Sequence, residues 1–145
     1  MSKISVVYWS QSGNTKAMAE AIGKGIEAAG KEANVVEVGS ASIDELKNET
    51  VFALGCPAMG AEVLEEAEME PFVCDVEPFA KGKTIALFGS YGWGDGEWMR
   101  DWEDRMKAAG ANIIGGEDLI CQEAPDDSEL AECEATGKQL AGMLK

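Results

Sequence analysis

Residues 10–15 combine the residue types that bind an anion at the start of a helix. The segment consists of Ser10, Gln11, Ser12, Gly13, Asn14 and Thr15. It follows an apolar run and precedes an amphipathic stretch, so its hydroxyls and free N–H groups lie at the positive end of a helix dipole. This pattern predicts a phosphate site, and an ordinary hydroxyl-rich helix cap is the alternative that the segment alone leaves open. The lysine-containing G-x-x-x-x-G-K-[ST] loop is missing, which favours a ligand that is retained rather than hydrolysed.

A second candidate segment also follows an apolar run. It consists of Ala58, Met59, Gly60, Ala61 and Glu62. Gly60 permits a positive φ and hence a type II′ turn with this glycine at its second position. The polarizable side chain of Met59 suits a flat ring, and Glu62 can accept a hydrogen bond from a ring N–H. Taken alone, the segment favours a plain tight turn after a strand.

The third candidate segment surrounds an indole with glycines. It consists of Ser90, Tyr91, Gly92, Trp93 and Gly94. Glycines let a backbone approach a ligand closely, and an indole between them is expected to lie against a flat partner. In contrast, Trp98 and Trp102 recur at helical spacing, so we expect them in the core.

These segments need a scaffold that brings them together. Near-continuous apolar runs predict strands at 3–9, 34–38, 51–56 and 84–89, with short pieces at 112–114 and 119–121. Helical periodicity predicts helices at 15–29, 97–109 and 127–144, with a shorter one around Phe72. This alternation predicts a single α/β domain over 1–145, a doubly wound parallel sheet with helices on both faces. In such sheets ligands bind beyond the carboxyl ends of the strands, where all three segments are expected to converge.

Composition narrows the function further. The 145 residues include no histidine, which removes the commonest general base and the commonest transition-metal ligand and argues against triad hydrolysis. Four widely spaced cysteines are expected to be reduced thiols of a cytoplasmic protein, not a disulfide framework. No apolar run approaches the roughly 18 residues of a membrane span, and no secretion-signal pattern opens the chain, so no membrane association is expected.

The charge of the chain is strongly negative and uneven. Formal net charge is −15, and residues 61–80 contain seven acidic and no basic side chains. This balance disfavours nucleic acid and anionic membranes as partners and favours basic protein surfaces, which the charge would steer into contact. Solubility alone is the simpler explanation of the same charge, and the two are compatible.

In combination, these segments resemble the short-chain flavodoxins along essentially the whole chain. The match rests on 7–10, 12–15, 54–60, 86–94 and 97–100. Only a short connection at 115–117 splits the last strand, so the extra loop of long-chain members is missing. The resemblance implies a five-stranded sheet in the order 2-1-3-4-5 with FMN at the switch point of strand order, a known property of this family.

The resemblance also implies an FMN-dependent one-electron carrier, expected as a monomer, that serves basic redox partner proteins and has no substrate of its own. By the family pattern, residues 10–15 and Ser90 hold the phosphate, and 58–62 line one side of the isoalloxazine. Trp93 stacks on the other face, while Tyr91, Gly92 and Gly94 contribute contacts beside it. Departures from the pattern are Gln11, Ser12 and Ala61, of which Ala61 is expected to alter semiquinone stability. Residues 122–123 stand where relatives place a polar contact, but no role is assigned to them.

The resemblance further implies a redox-linked flip of the Gly60–Ala61 peptide, which turns its carbonyl toward the flavin nitrogen protonated in the semiquinone. A Cβ at position 60 would cost of order 1 kcal/mol or more. Because the reduced ring tends to become an anion, an acidic protein predicts a low potential for the second electron and mainly semiquinone/hydroquinone cycling. An FMN-dependent quinone or nitro reductase of the same fold is the alternative. A signalling receiver domain is disfavoured because the strand ends at 9–10 and 56–57 carry no acidic residue.

Overall fold

A computed structural model describes residues 3–144 and shows strands and helices in alternation. The elements are β1 (Lys3–Tyr8), α1 (Asn14–Ala28), β2 (Glu32–Glu37), α2 (Ile43–Asn48), β3 (Val51–Gly55), α3 (Met69–Val76), β4 (Thr84–Tyr91), α4 (Glu97–Ala108), β5 (Asn112–Gln122) and α5 (Asp127–Met143). All neighbouring strands are parallel and their order is β2-β1-β3-β4-β5, which confirms the predicted fold. The order reverses between β1 and β3, so a ligand site is expected at their carboxyl ends.

Successive side chains of a strand point to opposite faces of the sheet, and helices cover both faces. Val6 packs in one apolar cluster with residues of α1 and α5, whereas Val7 packs in the other with residues of α3 and α4. Trp98 and Trp102 of α4 are each 1% exposed, which confirms their expected place in the core.

One helix was missed by sequence periodicity. The six-residue α2 buries only Leu46, so its apolar stripe is too short to show a helical period. Its start does carry a local signal, because the Ser42 hydroxyl accepts a hydrogen bond from the Glu45 N–H at 3.2 Å. The shorter helix expected around Phe72 is confirmed as α3. Within residues 3–144, no helix has the length and apolar character needed to cross a membrane.

The last strand is interrupted where a break was predicted. Its pairing with β4 jumps from Leu87 opposite Gly115 to Gly89 opposite Ile120, and the bulged segment begins at two glycines with φ of 71° and 65°. The two short pieces expected at 112–114 and 119–121 are therefore parts of one strand. After the bulge the strand runs on to Gln122 beside Tyr91, which brings a fourth loop to the carboxyl edge of the sheet.

Candidate functional site

The loops after β1, β3 and β4 enclose a cavity of about 280 Å³ at the carboxyl edge of the sheet. Its lining residues are Ser10, Gln11, Ser12, Asn14, Thr15, Pro57, Ala58, Met59, Ser90, Tyr91, Gly92 and Glu123. None of these side chains is positively charged, so hydroxyls and main-chain N–H groups are the donors available to an anion. A cavity of about 690 Å³ lies beside Lys3 and Thr50 at the opposite edge, but none of the three candidate segments reaches it.

The first loop gathers hydroxyls at the start of α1. Gly13 adopts a φ of 96° and turns the chain into the helix. The Ser10 hydroxyl accepts hydrogen bonds from the N–H groups of Gly13 (3.2 Å) and Lys16 (3.3 Å), although the N-cap residue itself is Gly13 and has no side chain to cap the helix. The buried Thr15 hydroxyl lies 3.1 Å from the Ser90 hydroxyl, which joins the first loop to the third. Gln11 and Ser12 are exposed at the tip, next to the positive end of the helix dipole.

The second loop is a turn clamped at both ends. The Met59 N–H donates to the Val63 carbonyl (2.9 Å), and the Val63 N–H donates back to the Met59 carbonyl (3.0 Å). The predicted type II′ turn is therefore wrong, because these bonds enclose three residues where that turn encloses two. Gly60 has the predicted positive φ, 47°. The turn contains one residue more than predicted, and the positive φ of Glu62, 55°, lets the chain close around it.

The third loop holds the exposed indole. Trp93 is 64% exposed and therefore packs differently from the two tryptophans of α4. The third loop contacts the second loop at Gly94, which packs against the side chain of Glu62. There is no room for a larger residue here, because a Cβ added to Gly94 would lie 2.5 Å from Glu62 Cδ. Glu62 Oε1 is buried and has no hydrogen-bond partner among the described residues. An acceptor that is buried and unpaired between these two loops fits a ligand N–H.

The fourth loop supplies residues that the sequence did not assign. Glu123, with a φ of 59°, donates its N–H to the Tyr91 carbonyl at 2.7 Å and lines the cavity. Gln122 Nε2 donates to the Gly92 carbonyl at 3.3 Å. No local signal in the sequence ties these two residues to the site, because only the pairing of β5 with β4 brings them there.

Most, but not all, of the predicted site residues line the cavity. Those outside its lining are Gly13, Gly60, Ala61, Glu62, Trp93 and Gly94. They belong to the same three loops, and Glu62 lines a separate cavity of about 130 Å³ together with Trp98 and Trp102. Pro57 is a further lining residue, and its role could not be predicted because a proline after a strand is ordinary turn chemistry.

Charges around the second loop are negative, and one carboxylate is tied to the main chain by hydrogen bonds. The Glu65 carboxylate accepts N–H groups of Ala67, Glu68 and Met69 at 2.7–3.0 Å where α3 begins. Burial alone would raise the pKa of Glu65, but these three hydrogen bonds outweigh it and the pKa is lowered. Burial raises the pKa of the Cys56 thiol to about 12, so this residue beside the cavity is not a nucleophile.

These features together define a class of protein. Hydroxyls at a helix N-terminus suit a phosphate, Met59 and the exposed Trp93 suit a flat ring, and the unpaired Glu62 oxygen suits a ring N–H. The residues present therefore fit FMN, and the fold and site are those of a doubly wound flavin-mononucleotide protein.

Comparison with known proteins gives the family. The sequence profile of the flavodoxin family matches residues 6–137. The chain is 51% identical over 138 residues to a flavodoxin of Clostridium beijerinckii, covering 95% of this chain and 99% of that protein. It is 44% identical over 138 residues to a flavodoxin of Megasphaera elsdenii, covering 95% and 98%. The solution structure of the two-electron reduced Megasphaera elsdenii flavodoxin matches with a TM-score of 0.87, over 96% of this chain and 98% of that one. The chain belongs to the flavodoxin family.

Membership confirms the predicted cofactor and general function. The protein is an FMN-binding electron carrier that passes electrons to redox partner proteins and has no substrate of its own. The bound FMN supplies the one-electron chemistry, and the protein supplies binding and the electrostatic environment. The reductase alternative is not favoured, because the flavodoxins above match over nearly their whole length.

Proposed function

We propose that this protein is a low-potential carrier whose FMN is held by the loops after β1, β3 and β4. The observation that carries the proposal is the convergence of these loops on one cavity at the switch point, with the Thr15 and Ser90 hydroxyls 3.1 Å apart. Within this site, the phosphate is held by the six residues of 10–15 together with Ser90. The hydroxyls and the helix N-terminus described above support this assignment.

The ring is proposed to lie between the second and third loops. Ala58, Met59, Gly60, Ala61 and Glu62 line one side, Trp93 stacks on the other, and Tyr91, Gly92 and Gly94 complete the contacts. Support comes from the 64% exposure of Trp93 and from the unpaired Glu62 oxygen beside Gly94. A stacked ring would cover an indole that otherwise stands in solvent.

The Gly60–Ala61 peptide is proposed to change its orientation with the redox state. No hydrogen bond within the described residues holds this peptide, whereas the hydrogen-bond pair between Met59 and Val63 fixes both ends of the turn. A half-turn of one peptide plane can therefore occur without moving the rest of the loop. Its carbonyl would then accept a hydrogen bond from the flavin nitrogen that gains a proton.

A low potential for the second electron follows from the surrounding charge. Residues 61–80 contain seven carboxylates and no cation. Arg105 is paired with Glu70 (2.7 Å) and Glu77 (2.8 Å), and Arg100 is paired with Asp95 and Glu117 (both 2.9 Å). Both guanidinium groups are thus already neutralised by two carboxylates each. An anionic ring added to this environment is disfavoured by Coulomb repulsion, so the one-electron-reduced and two-electron-reduced forms are the working pair.

The proposed partners are proteins with a basic surface, which dock as the negative charge steers them. Val63 (44% exposed) and Trp93 place apolar contact area beside the acidic stretch. We further propose that the chain acts as one monomeric domain over residues 1–145 in the cytoplasm. Its two core clusters share a single sheet, and all four cysteines are free thiols, as suits a reducing compartment.

Stepwise reduction of the FMN-loaded protein under anaerobic conditions tests the proposal. Absorbance spectra should show two separate one-electron steps, with the second well below the potential of free FMN. A protein that takes both electrons in one step, or that binds no FMN, would refute the proposed site. Sustained turnover of NAD(P)H with a quinone by the protein alone would instead favour the reductase.

A further inference from the structure

We infer that Trp98 is a positioning residue for the flavin-binding turn: its indole N–H fixes the main chain at Cys56, from which the turn 57–65 extends. The inference rests on the FMN site proposed above. Trp98 does not line the cavity, and its helical spacing predicts only a place in the core.

The hydrogen bond lies where β3 has just ended. Trp98 Nε1 donates to the Cys56 carbonyl at 3.1 Å, and both groups are buried. The Cys56 N–H still donates to the Phe88 carbonyl at 3.2 Å, but the strand ends at Gly55. The space beside this carbonyl is closed, because a Cβ added to Gly89 would collide with it and lie 3.3 Å from Trp98 Cζ2. The indole N–H is therefore the donor that satisfies a carbonyl enclosed by protein.

Cys56 is also the point to which the whole turn is attached. The Ala58 N–H donates to the Ser90 carbonyl at 3.0 Å on the way out, and the Glu65 N–H donates to Cys56 Sγ at 3.4 Å on the way back. Between them lies the clamp of Met59 and Val63. The position of Cys56 thus sets the position of the entire loop relative to β4 and the third loop.

Loss of the indole N–H would leave the buried carbonyl without a donor. Moving the main chain toward another donor or toward water would then lower the free energy of the loop. The arrangement that accepts FMN would therefore be only partly populated. Apparent affinity falls in proportion to that population. If the competent arrangement falls to about one tenth, FMN binds about tenfold more weakly.

Trp102 is a matched control within the same helix. It lies one turn after Trp98 and is equally buried, at 1% exposure. Its Nε1 has no hydrogen-bond partner among the described residues. Replacing either indole by a phenyl ring removes the same atoms from the same core, but only the change at position 98 removes a hydrogen bond to the loop.

The experiment compares Trp98→Phe, Trp102→Phe and the unchanged protein. FMN binding to each apoprotein is titrated by flavin fluorescence, unfolding is followed in urea, and amide exchange is measured at Met59 and Val63. Both variants should lose stability, and Trp98→Phe should lose more because only this change leaves a buried carbonyl without a donor. Only Trp98→Phe should raise the Kd for FMN about tenfold and speed exchange at the two clamp amides.

Equal Kd values for the two variants would overturn the inference, since packing would then explain both. If Trp98→Phe does not fold, 3-benzothienylalanine at position 98 keeps the ring shape and replaces the N–H by sulfur. Unchanged FMN affinity in that protein would overturn the inference equally. Failure of the unchanged protein to bind FMN would refute the proposed site, which is a distinguishable result.

Discussion

Substitution of Gly60 tests the redox-linked turn most directly. Gly60 has a φ of 47°, close to the left-handed region, and a Cβ built on it meets no atom within 4 Å. A side chain therefore fits the available space, and any penalty comes from the backbone conformation. Rotating the Gly60–Ala61 peptide by half a turn changes ψ at Gly60 while φ stays positive. The two orientations cannot both lie in the small left-handed region, and at positive φ the remaining region is accepted essentially by glycine alone.

The magnitude follows from that restriction. The orientation in the present structure has the φ that a residue with a Cβ tolerates best, so the flipped orientation bears the strain in Gly60→Ala and Gly60→Val. Strain of this kind costs about 1–3 kcal/mol. Because about 1.36 kcal/mol corresponds to a factor of ten, or 59 mV for one electron, the first-electron potential should fall by roughly 40–130 mV.

The assay is an anaerobic potentiometric titration of each variant. Gly82→Ala is the matched control, since Gly82 also has a positive φ, 82°, and open space around its Cβ, but lies before β4 at the opposite edge of the sheet. Gly82→Ala should lower the free energy of unfolding by an amount similar to that in Gly60→Ala, and it should leave both reduction potentials of the FMN unchanged. A Gly60→Ala protein with an unaltered first-electron potential would refute the flip, and an equal shift in Gly82→Ala would refute the assignment to the turn.

Three further perturbations have defined outcomes. Glu66→Gln with Glu68→Gln should raise the second-electron potential by about 20 mV per charge, taking a separation of about 10 Å in water, as potentiometry would show. Trp93→Ala should weaken FMN binding by about 1–3 kcal/mol, roughly 5- to 150-fold in Kd, with apoprotein stability unchanged because the indole is already exposed. Glu65→Gln should lower the free energy of unfolding at pH 7 by about 1 kcal/mol, measured in urea.

The Glu65 effect should depend on pH in a defined direction. Since the folded-state pKa of Glu65 is lowered, its stabilisation is complete above the unfolded-state value near 4.5 and is lost as pH falls through the folded value. The difference in the free energy of unfolding between Glu65→Gln and the unchanged protein should therefore shrink below pH 4.5. A constant difference would contradict the assigned hydrogen bonds.

For the variant with Glu66→Gln and Glu68→Gln, the control is Glu27→Gln near the far end of α1. An equal shift of the second-electron potential in that control would contradict a local effect. A destabilised Trp93→Ala apoprotein would contradict the assignment of Trp93 to the ligand.

The order of the strands and of the longer helices, and the three loops after β1, β3 and β4, could be predicted from the sequence. Both follow from local physics, because apolar periodicity distinguishes strand from helix over a few turns and the glycine at position 60 indicates a positive φ. The six-residue α2 escaped, since a helix with one buried residue has no period to detect. The turn around Gly60 was expected one residue too short, because its length is set by the pairing of Met59 with Val63 and not by the glycine.

Which distant groups meet depends on the packed fold. The Thr15 and Ser90 hydroxyls are 75 positions apart in the chain, and the indole of Trp98 reaches Cys56 over 42 positions. Glu123 joins the site only because the bulge at Gly115 and Gly116 lets β5 resume its pairing with β4. Such contacts depend on sheet register and helix docking, which sum many weak terms over the whole chain. A local pattern specifies what a residue can do, whereas its partner is fixed only when the sheet has formed.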